Sequence, residues 1–205
     1  MPNQREEDTD CLLTRVADGD QAAADTLLQR HRARLTAMVR LRMDGRLVAR
    51  FDPSDVVQDA LVEASKRLSK FVKSRPIPFY PWLRSMAWER LIQLHRLHFH
   101  SQRRSVGREE VSFPLPDESE LLLAERVAAS TMGASRGAVR NEVQARVHRA
   151  LAELPPASRE VVILRHLEEL SFKEITTVMN ISEAAVYSRY RRAVEQLGNL
   201  LKLYQ

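Results

Sequence analysis

Apolar residues recur along this chain at the three- and four-residue spacing that places them on one face of an α-helix. The cleanest stripe lies in the first half of the chain and consists of Val57, Ala60, Leu61, Ala64, Leu68 and Phe71. Glycine, which destabilises helix interiors, is scarce at 6 of 205 residues. The spacing therefore predicts an all-α chain, and its length suits one large or two small domains.

The helical pattern is interrupted once, by a stretch rich in Pro, Gly and Ser. Residues 9–104 read as consecutive helices, and residues 141–205 are helical again. Residues 105–140 contain the sequences VSFPLPDES and MGASRG, whose composition is typical of a linker. We therefore predict two small helical domains, 9–104 and 141–205, joined by a flexible linker over 105–140.

A strong start signal precedes the apolar stripe. Asp52 can cap a helix, Pro53 suits its first position, and Asp55 lies in the first turn, where the helix dipole favours an anion. The face opposite the stripe is polar, with Asp55, Gln58, Asp59 and Lys66. An earlier helix is predicted after Asp20, and its inner face would hold Ala23, Leu27, Leu28, Leu35, Met38 and Val39.

A further helix is predicted to begin near Pro81. Its expected inner face consists of Leu83, Met86, Ala87, Leu91, Leu94 and Leu97. Aromatic residues cluster at its beginning, and arginines follow along and beyond it: Phe79, Tyr80, Trp82 and Trp88, then Arg84, Arg90, Arg96, Arg103 and Arg104. An anchor in the hydrophobic core would explain any one of the aromatic residues.

The second helical zone contains a helix-turn-helix pattern. Ser171 and Glu174 form a capping box, Asn180 suits the left-handed backbone of the turn, and Ser182 caps the second helix. One face of that helix is mostly apolar, with Val186, Tyr190, Ala193, Val194, Leu197 and Leu201. The other face carries Ala184, Tyr187, Ser188, Arg191, Arg192 and Glu195. Polar and cationic residues near the start of a second helix suit the DNA major groove, although an αα-hairpin that only packs internally can show the same pattern.

Charge is distributed unevenly along the chain, whose formal net charge is +5. Residues 84–108 contain six Arg and one acid, Glu89, whereas residues 109–126 contain six acids and one Arg. A basic block beside an acidic block indicates two surfaces with different partners, although solvated charge runs are also common.

Metal, cofactor and catalytic signals are weak. Cys11 is the only cysteine, which excludes an intrachain disulfide or a cysteine-based metal site. His95, His98 and His100 form the best candidate for a metal site, but the neighbouring arginines would repel a cation. With no Gly-rich phosphate loop and no recognisable acid or nucleophile pair, we expect no cofactor, no metal and no enzyme activity.

The chain lacks the sequence signals for export or membrane insertion. The start MPNQREEDTD has no apolar core of a signal peptide, and no apolar run approaches the roughly 18–20 residues that span a bilayer. We therefore expect a cytoplasmic protein without membrane insertion.

Nearly the whole chain resembles the sigma-70 family of RNA polymerase sigma factors, in its extracytoplasmic-function group. DPSDVVQDALVEASKRLSKF resembles region 2.2, and FYPWLRSMAWERLIQLHRLHFHSQRR resembles regions 2.3 and 2.4. LAELPPASREVVILRHLEELSFKEITTVMNISEAAVYSRYRRAVEQL resembles region 4. The resemblance implies a subunit that binds core polymerase and directs promoter-specific initiation.

The resemblance also implies residue roles. Asp55, Gln58 and Asp59 match the region 2.2 face that docks on a coiled coil of the polymerase's largest subunit. The −10 element would be opened and bound by Tyr80, Trp88, Glu89, Arg90, Arg96, Arg103 and Arg104. The −35 element would be read as duplex by Ser182, Tyr187, Ser188, Arg191 and Arg192. The acidic run 109–125 would thread through the polymerase toward the RNA exit path, where it mimics nucleic-acid charge.

The expected partners are core RNA polymerase, contacted at the coiled coil and the flap region, and promoter DNA. An anti-sigma factor is a further candidate partner, and no small-molecule substrate is expected. Two alternatives stay open on the residues alone. One is a repressor or activator that binds duplex DNA without polymerase, and the other is an interaction protein that sequesters polymerase or pairs with a sigma factor.

Overall fold

The computed structural model describes residues 4–99, 149–151 and 153–203, and within these ranges the regular structure is entirely helical. The helices are α1 Gln4–Ala17, α2 Gln21–Arg42, α3 Gly45–Val48, α4 Pro53–Ser74, α5 Phe79–Phe99, α6 Pro156–His166, α7 Phe172–Met179 and α8 Glu183–Leu203. The predicted all-α fold is confirmed. None of the described helices combines the length and the apolar character needed to cross a membrane.

The described helices form two compact units, the first made of α1–α5 and the second of α6–α8. This division agrees with the prediction of two small helical domains. The predicted linker, residues 105–140, lies outside the described residues, so the linker and the domain boundaries stay predictions.

Helix α4 begins and ends where local chemistry dictates. The Asp52 carboxylate accepts the Ser54 N–H at 2.8 Å, and Pro53 occupies the first turn. At the other end Arg75 adopts a left-handed backbone, φ 39°, and its N–H donates to the Phe71 carbonyl at 2.7 Å. All members of the predicted apolar stripe are buried, which leaves the opposite face of α4 to solvent.

Helix α2 is joined to α1 through the residue that caps it. Asp20 accepts the Ala23 N–H at 3.0 Å and pairs with Arg15 of α1 at 2.6 Å. These two interactions hold the pKa of the Asp20 carboxyl below its usual value. The predicted inner face of α2 is confirmed, since Ala23, Leu27, Leu28, Leu35, Met38 and Val39 are all buried.

Helix α5 begins at Phe79, two residues before the predicted start at Pro81. Its inner face is confirmed for Leu83, Met86, Ala87, Leu91 and Leu94. The prediction for Leu97 is wrong, because this side chain is 73% exposed. At 3.6 residues per turn, Leu97 lies at one edge of the buried arc, in the last turn, while Arg84 and His95 extend that arc at its other edge.

The second unit buries apolar side chains from each of its helices. The buried residues include Val161–Leu164 of α6, Ile175 of α7, and Val186 and Ala193 of α8. The prediction that Val194 lies on the core face of α8 is wrong, because this side chain is 46% exposed. One residue advances a helix by about 100°, so Val194 points away from the face that Ala193 buries.

Candidate nucleic-acid and polymerase interfaces

The first helix of the helix-turn-helix begins with the predicted capping box. Ser171 Oγ accepts the Glu174 N–H at 3.2 Å, and Glu174 Oε2 accepts the Ser171 N–H at 2.8 Å. The two side chains also meet at 3.0 Å between Ser171 Oγ and Glu174 Oε2. This reciprocal arrangement determines where α7 begins.

The turn between α7 and α8 is confirmed in detail. Asn180 has φ 50° and ψ 47°, a left-handed conformation that Asn tolerates better than most residues. The Ile181 N–H donates to the Thr176 carbonyl at 3.2 Å, and Ser182 Oγ accepts the Ala185 N–H at 3.2 Å. The turn therefore leads directly into a capped α8.

Two tyrosines of α8 pack on the ring of Phe172, at the start of α7. The ring centroid of Tyr187 lies 4.4 Å from that of Phe172, and the centroid of Tyr190 lies 5.2 Å from it. The Tyr190 hydroxyl is 3.1 Å from His166 Nε2. Tyr187 remains 49% exposed, so this predicted −35 residue has one side against the protein and one toward solvent.

The remaining predicted −35 residues lie on the accessible side of α8. Ser182, Arg191 and Arg192 are exposed, and Ser188 is half-buried. Arg191 Nε is 3.8 Å from the Glu195 carboxylate, one turn further along. An ion pair this long and this exposed contributes little stability, so the guanidinium is available to an anionic partner.

The structure corrects the prediction for Tyr80. Its ring is only 3% exposed and lies under the Arg34 guanidinium at 3.6 Å. The His31 ring lies 5.7 Å away. Tyr80 therefore belongs to the core and cannot stack on a base in this conformation.

Trp88 is half-buried on α5 and lies close to two arginines. The guanidinium of Arg42, on α2, is 5.7 Å from the indole centroid, and that of Arg84 is 5.6 Å from it. Both arginines are buried. Arg42 could not be placed beside Trp88 from the sequence, because this contact joins two helices. Its only sequence signal is a charged residue in an apolar stretch. Trp82, in contrast, stacks on Phe71 at 4.3 Å, as a core anchor would.

The other predicted −10 residues occupy different settings. Glu89 and Arg96 are exposed on α5, and Arg103 and Arg104 lie outside the described residues. Arg90 is bound to the predicted polymerase-docking face, since its Nε and Nη2 atoms lie 2.9 and 2.8 Å from Asp59 Oδ2. The structure thus brings together one residue from each of two predicted sites.

The predicted docking residues share the polar face of α4. Asp55, Gln58 and Asp59 are all exposed. A groove runs along each side of this face. One is lined by Asp59, Glu63, Lys66, Arg67 and Arg90, and the other by Asp25, Gln29, Gln58 and Ser65. The face is polar and open to a partner, and its role stays a prediction.

Two of the three residues of the histidine cluster, His95 and His98, lie in the described part of the chain, and His100 lies outside it. His95 is buried, whereas His98 is exposed and packs on Phe51 with ring centroids 4.9 Å apart. Burial lowers the pKa of His95, Asp44 opposes this effect, and Arg46 adds to it. No group of three His, Cys, Asp or Glu residues in the described part of the chain could hold a metal ion.

Comparison with known proteins covers both units. Residues 27–99 match the family profile described as Sigma-70 region 2, and residues 144–197 match that of Sigma-70, region 4. The chain is 28% identical to RNA polymerase sigma-H factor of Pseudomonas aeruginosa, over 93% of this chain and 92% of that one. It is 32% identical to RNA polymerase sigma factor CnrH of Cupriavidus metallidurans, over 95% of each chain.

Further similarity extends to an enterobacterial relative and to a solved structure. The ECF RNA polymerase sigma-E factor of Escherichia coli is 28% identical over 92% of this chain and 91% of its own. The structure of CnrH in complex with the cytosolic domain of CnrY superposes with a TM-score of 0.53 and 26% identity. That match covers 97% of this chain and 99% of the other.

Proposed function

Since the chain belongs to the extracytoplasmic-function group of the sigma-70 family and so serves promoter-directed transcription initiation, we propose that it does this by binding core RNA polymerase, reading the −35 element as duplex and opening the −10 element. The observation that carries this proposal is the complete helix-turn-helix of α7 and α8, whose exposed side presents cationic residues. The similarity over both units supports a protein that uses them together.

The proposed −35 interface is the exposed side of α8. Arg191 and Arg192 can donate to guanine edges or phosphates, and Ser188 can bond to either. Tyr187, held by Phe172, offers its outer side to a phosphate or to a thymine methyl group. Ser182 caps the helix, and its exposed position lies at the end that would enter the major groove.

The proposed −10 interface is the exposed side of α5 around Trp88. An unpaired base can stack on an aromatic ring, and flanking cations can pair with the strand's phosphates. Glu89 and Arg96 are exposed on the same helix, and Arg103 and Arg104 follow it in sequence. Arg90 also belongs to this proposal, although Asp59 holds it in the free protein. Tyr80 is left out because it is buried.

The proposed polymerase-docking surface is the polar face of α4, formed by Asp55, Gln58 and Asp59. Its acidic residues suit a basic side chain on the coiled coil of the largest subunit.

We also propose a second polymerase contact at the flap region, and passage of the acidic segment 109–125 toward the RNA exit path. CnrH, a relative that covers nearly the whole chain, is known in complex with the cytosolic domain of another protein, which supports an anti-sigma partner for this chain.

Run-off transcription tests the proposal and separates it from its alternatives. With core polymerase and a promoter selected by this protein, we expect a transcript of defined start that requires both components. A duplex-binding repressor or activator would bind the DNA without core and yield no such transcript. A protein that only sequesters polymerase would bind core and suppress transcription from every template.

A further inference from the structure

An ion pair joins the proposed docking face to α5. Arg90 directs two guanidinium nitrogens at a single oxygen of the Asp59 carboxylate, with Nε–Oδ2 at 2.9 Å and Nη2–Oδ2 at 2.8 Å. Its third nitrogen, Nη1, lies 3.4 Å from Gln93 Oε1 on its own helix. The two residues are 31 positions apart in the chain, so the contact exists only because α4 and α5 pack together.

Both partners of this ion pair remain accessible to a competitor. The side chain of Asp59 is 55% exposed and that of Arg90 is 39% exposed, and both line the groove beside α4. Because water screens the pair, its net stabilisation is small and it can exchange partners readily. A cationic side chain that approaches α4 from the solvent would therefore compete with Arg90 for the Asp59 carboxylate.

We propose that Arg90 is an internal counter-ion that limits the affinity of this protein for core polymerase. This inference rests on the proposed docking role of Asp59. A basic side chain of the polymerase must displace Arg90 from Asp59. Before this exchange, the positive charge of the Arg90 guanidinium also repels that side chain. Breaking the Asp59–Arg90 pair therefore reduces the favourable free energy of docking by the free energy of the pair. For so exposed a pair, this cost raises the dissociation constant by a factor of up to about five.

Arg67 provides a matched control within the same groove. Its Nε donates to Glu63 Oε1 at 2.6 Å, one turn away on α4, and the pair is similarly exposed. Replacing Arg67 removes the same charge from the same groove but leaves the Asp59–Arg90 pair in place. A general effect of net charge on docking would therefore act through both arginines, whereas competition for Asp59 acts through Arg90 alone.

The test is a titration of labelled full-length protein with core polymerase at low ionic strength. Arg90→Gln is expected to lower the dissociation constant by about two- to fivefold, and Arg67→Gln is expected to leave it unchanged. Equal effects of the two substitutions, or unchanged or weaker binding by Arg90→Gln, would overturn the proposal. Arg90→Lys keeps the charge but loses the planar two-donor contact, so a smaller decrease in the same direction is expected if Arg90→Gln does not fold.

Asp59→Asn separates failure of this inference from failure of the proposed function. If that substitution leaves core affinity unchanged, Asp59 is not a docking residue and the proposed docking face itself is wrong. If Asp59→Asn weakens binding while Arg90→Gln does not strengthen it, only the competition is refuted. In the Asp59→Asn background, replacing Arg90 should no longer lower the dissociation constant, because there is no carboxylate left to release.

Discussion

The ring of Tyr187 lies 4.4 Å from that of Phe172, so α8 rests on the first residue of α7. Such aromatic pairs contribute about 0.5–1.5 kcal/mol beyond the area they bury. Tyr190, one turn further, packs on the same ring at 5.2 Å. Helix α8 therefore cannot turn about its axis without losing these contacts, and the direction of its exposed cations is determined by α7.

Removing the cations of α8 should weaken promoter binding. Arg191→Ala and Arg192→Ala should both lower affinity, and at least one should also reduce the preference for the −35 sequence, since a base-edge contact is worth about 1–3 kcal/mol. Transcription from −35 mutant promoters measures this preference. Arg149→Ala, an exposed cation outside the helix-turn-helix, should change neither property. Full activity and unchanged preference in both variants would mean that the motif is only a packing element.

Substitution on the polar face of α4 should weaken docking without unfolding the protein. Asp55 and Gln58 are exposed and the core stripe lies on the other side of the helix, so the double variant Asp55→Ala, Gln58→Ala should melt near the wild-type temperature. Its binding to core polymerase should fall in a pull-down titration. Wild-type affinity in this variant would exclude the proposed docking surface.

Strand opening should depend on Trp88. Trp88→Ala should impair formation of the open complex more than binding of the closed complex, because base stacking on an aromatic ring contributes about 1–3 kcal/mol. Trp88→Phe keeps an aromatic ring close to Arg42 and Arg84 and should retain much of the activity. Permanganate footprinting detects the unpaired bases. Normal melting by Trp88→Ala would move the role to another residue.

The capping box should stabilise the second unit measurably. Ser171→Ala removes the acceptor of the Glu174 N–H and should lower the free energy of unfolding by about 0.5–2 kcal/mol. Urea denaturation followed by circular dichroism measures this change. Ser158, near the start of α6, makes no side-chain hydrogen bond within the described residues, so Ser158→Ala should cost much less. An equal decrease in the free energy of unfolding in both variants would show that the Ser171 cap does not stabilise the unit.

The first unit should lose stability as the pH falls through the range of His95. Burial lowers the pKa of His95 in the folded state, so below about 6.5 the unfolded chain binds a proton more readily than the folded one. The contribution of neutral His95 to the free energy of unfolding is complete above pH 6.5, and it declines as the pH falls toward the lowered pKa of the folded state. Melting temperatures between pH 7.5 and 5.5 should therefore fall more steeply for wild type than for His95→Gln. If the melting temperatures of wild type and His95→Gln fell equally with pH, this explanation would be wrong.

Local features of this protein were determined by the sequence itself. The caps at Asp52 and Ser171, the left-handed turn at Asn180 and the stripe of α4 each depend on residues within a few positions of one another. Backbone sterics and hydrogen bonding over one turn of helix are sufficient to produce them. For the same reason, the helix-turn-helix could be predicted down to its capping residues.

The composition of the proposed interfaces depended on tertiary packing. Whether Tyr80 faces DNA or the core, whether Trp88 has cationic neighbours, and whether Asp59 is already bound to Arg90 all depend on helices that are distant in sequence. Periodicity shows which face of a helix is apolar, but not how wide an arc its neighbours cover. Leu97 and Val194 are therefore apolar and exposed, while Arg42 and Arg84 are charged and buried, because burial is determined by the surfaces that meet and not by the residue alone.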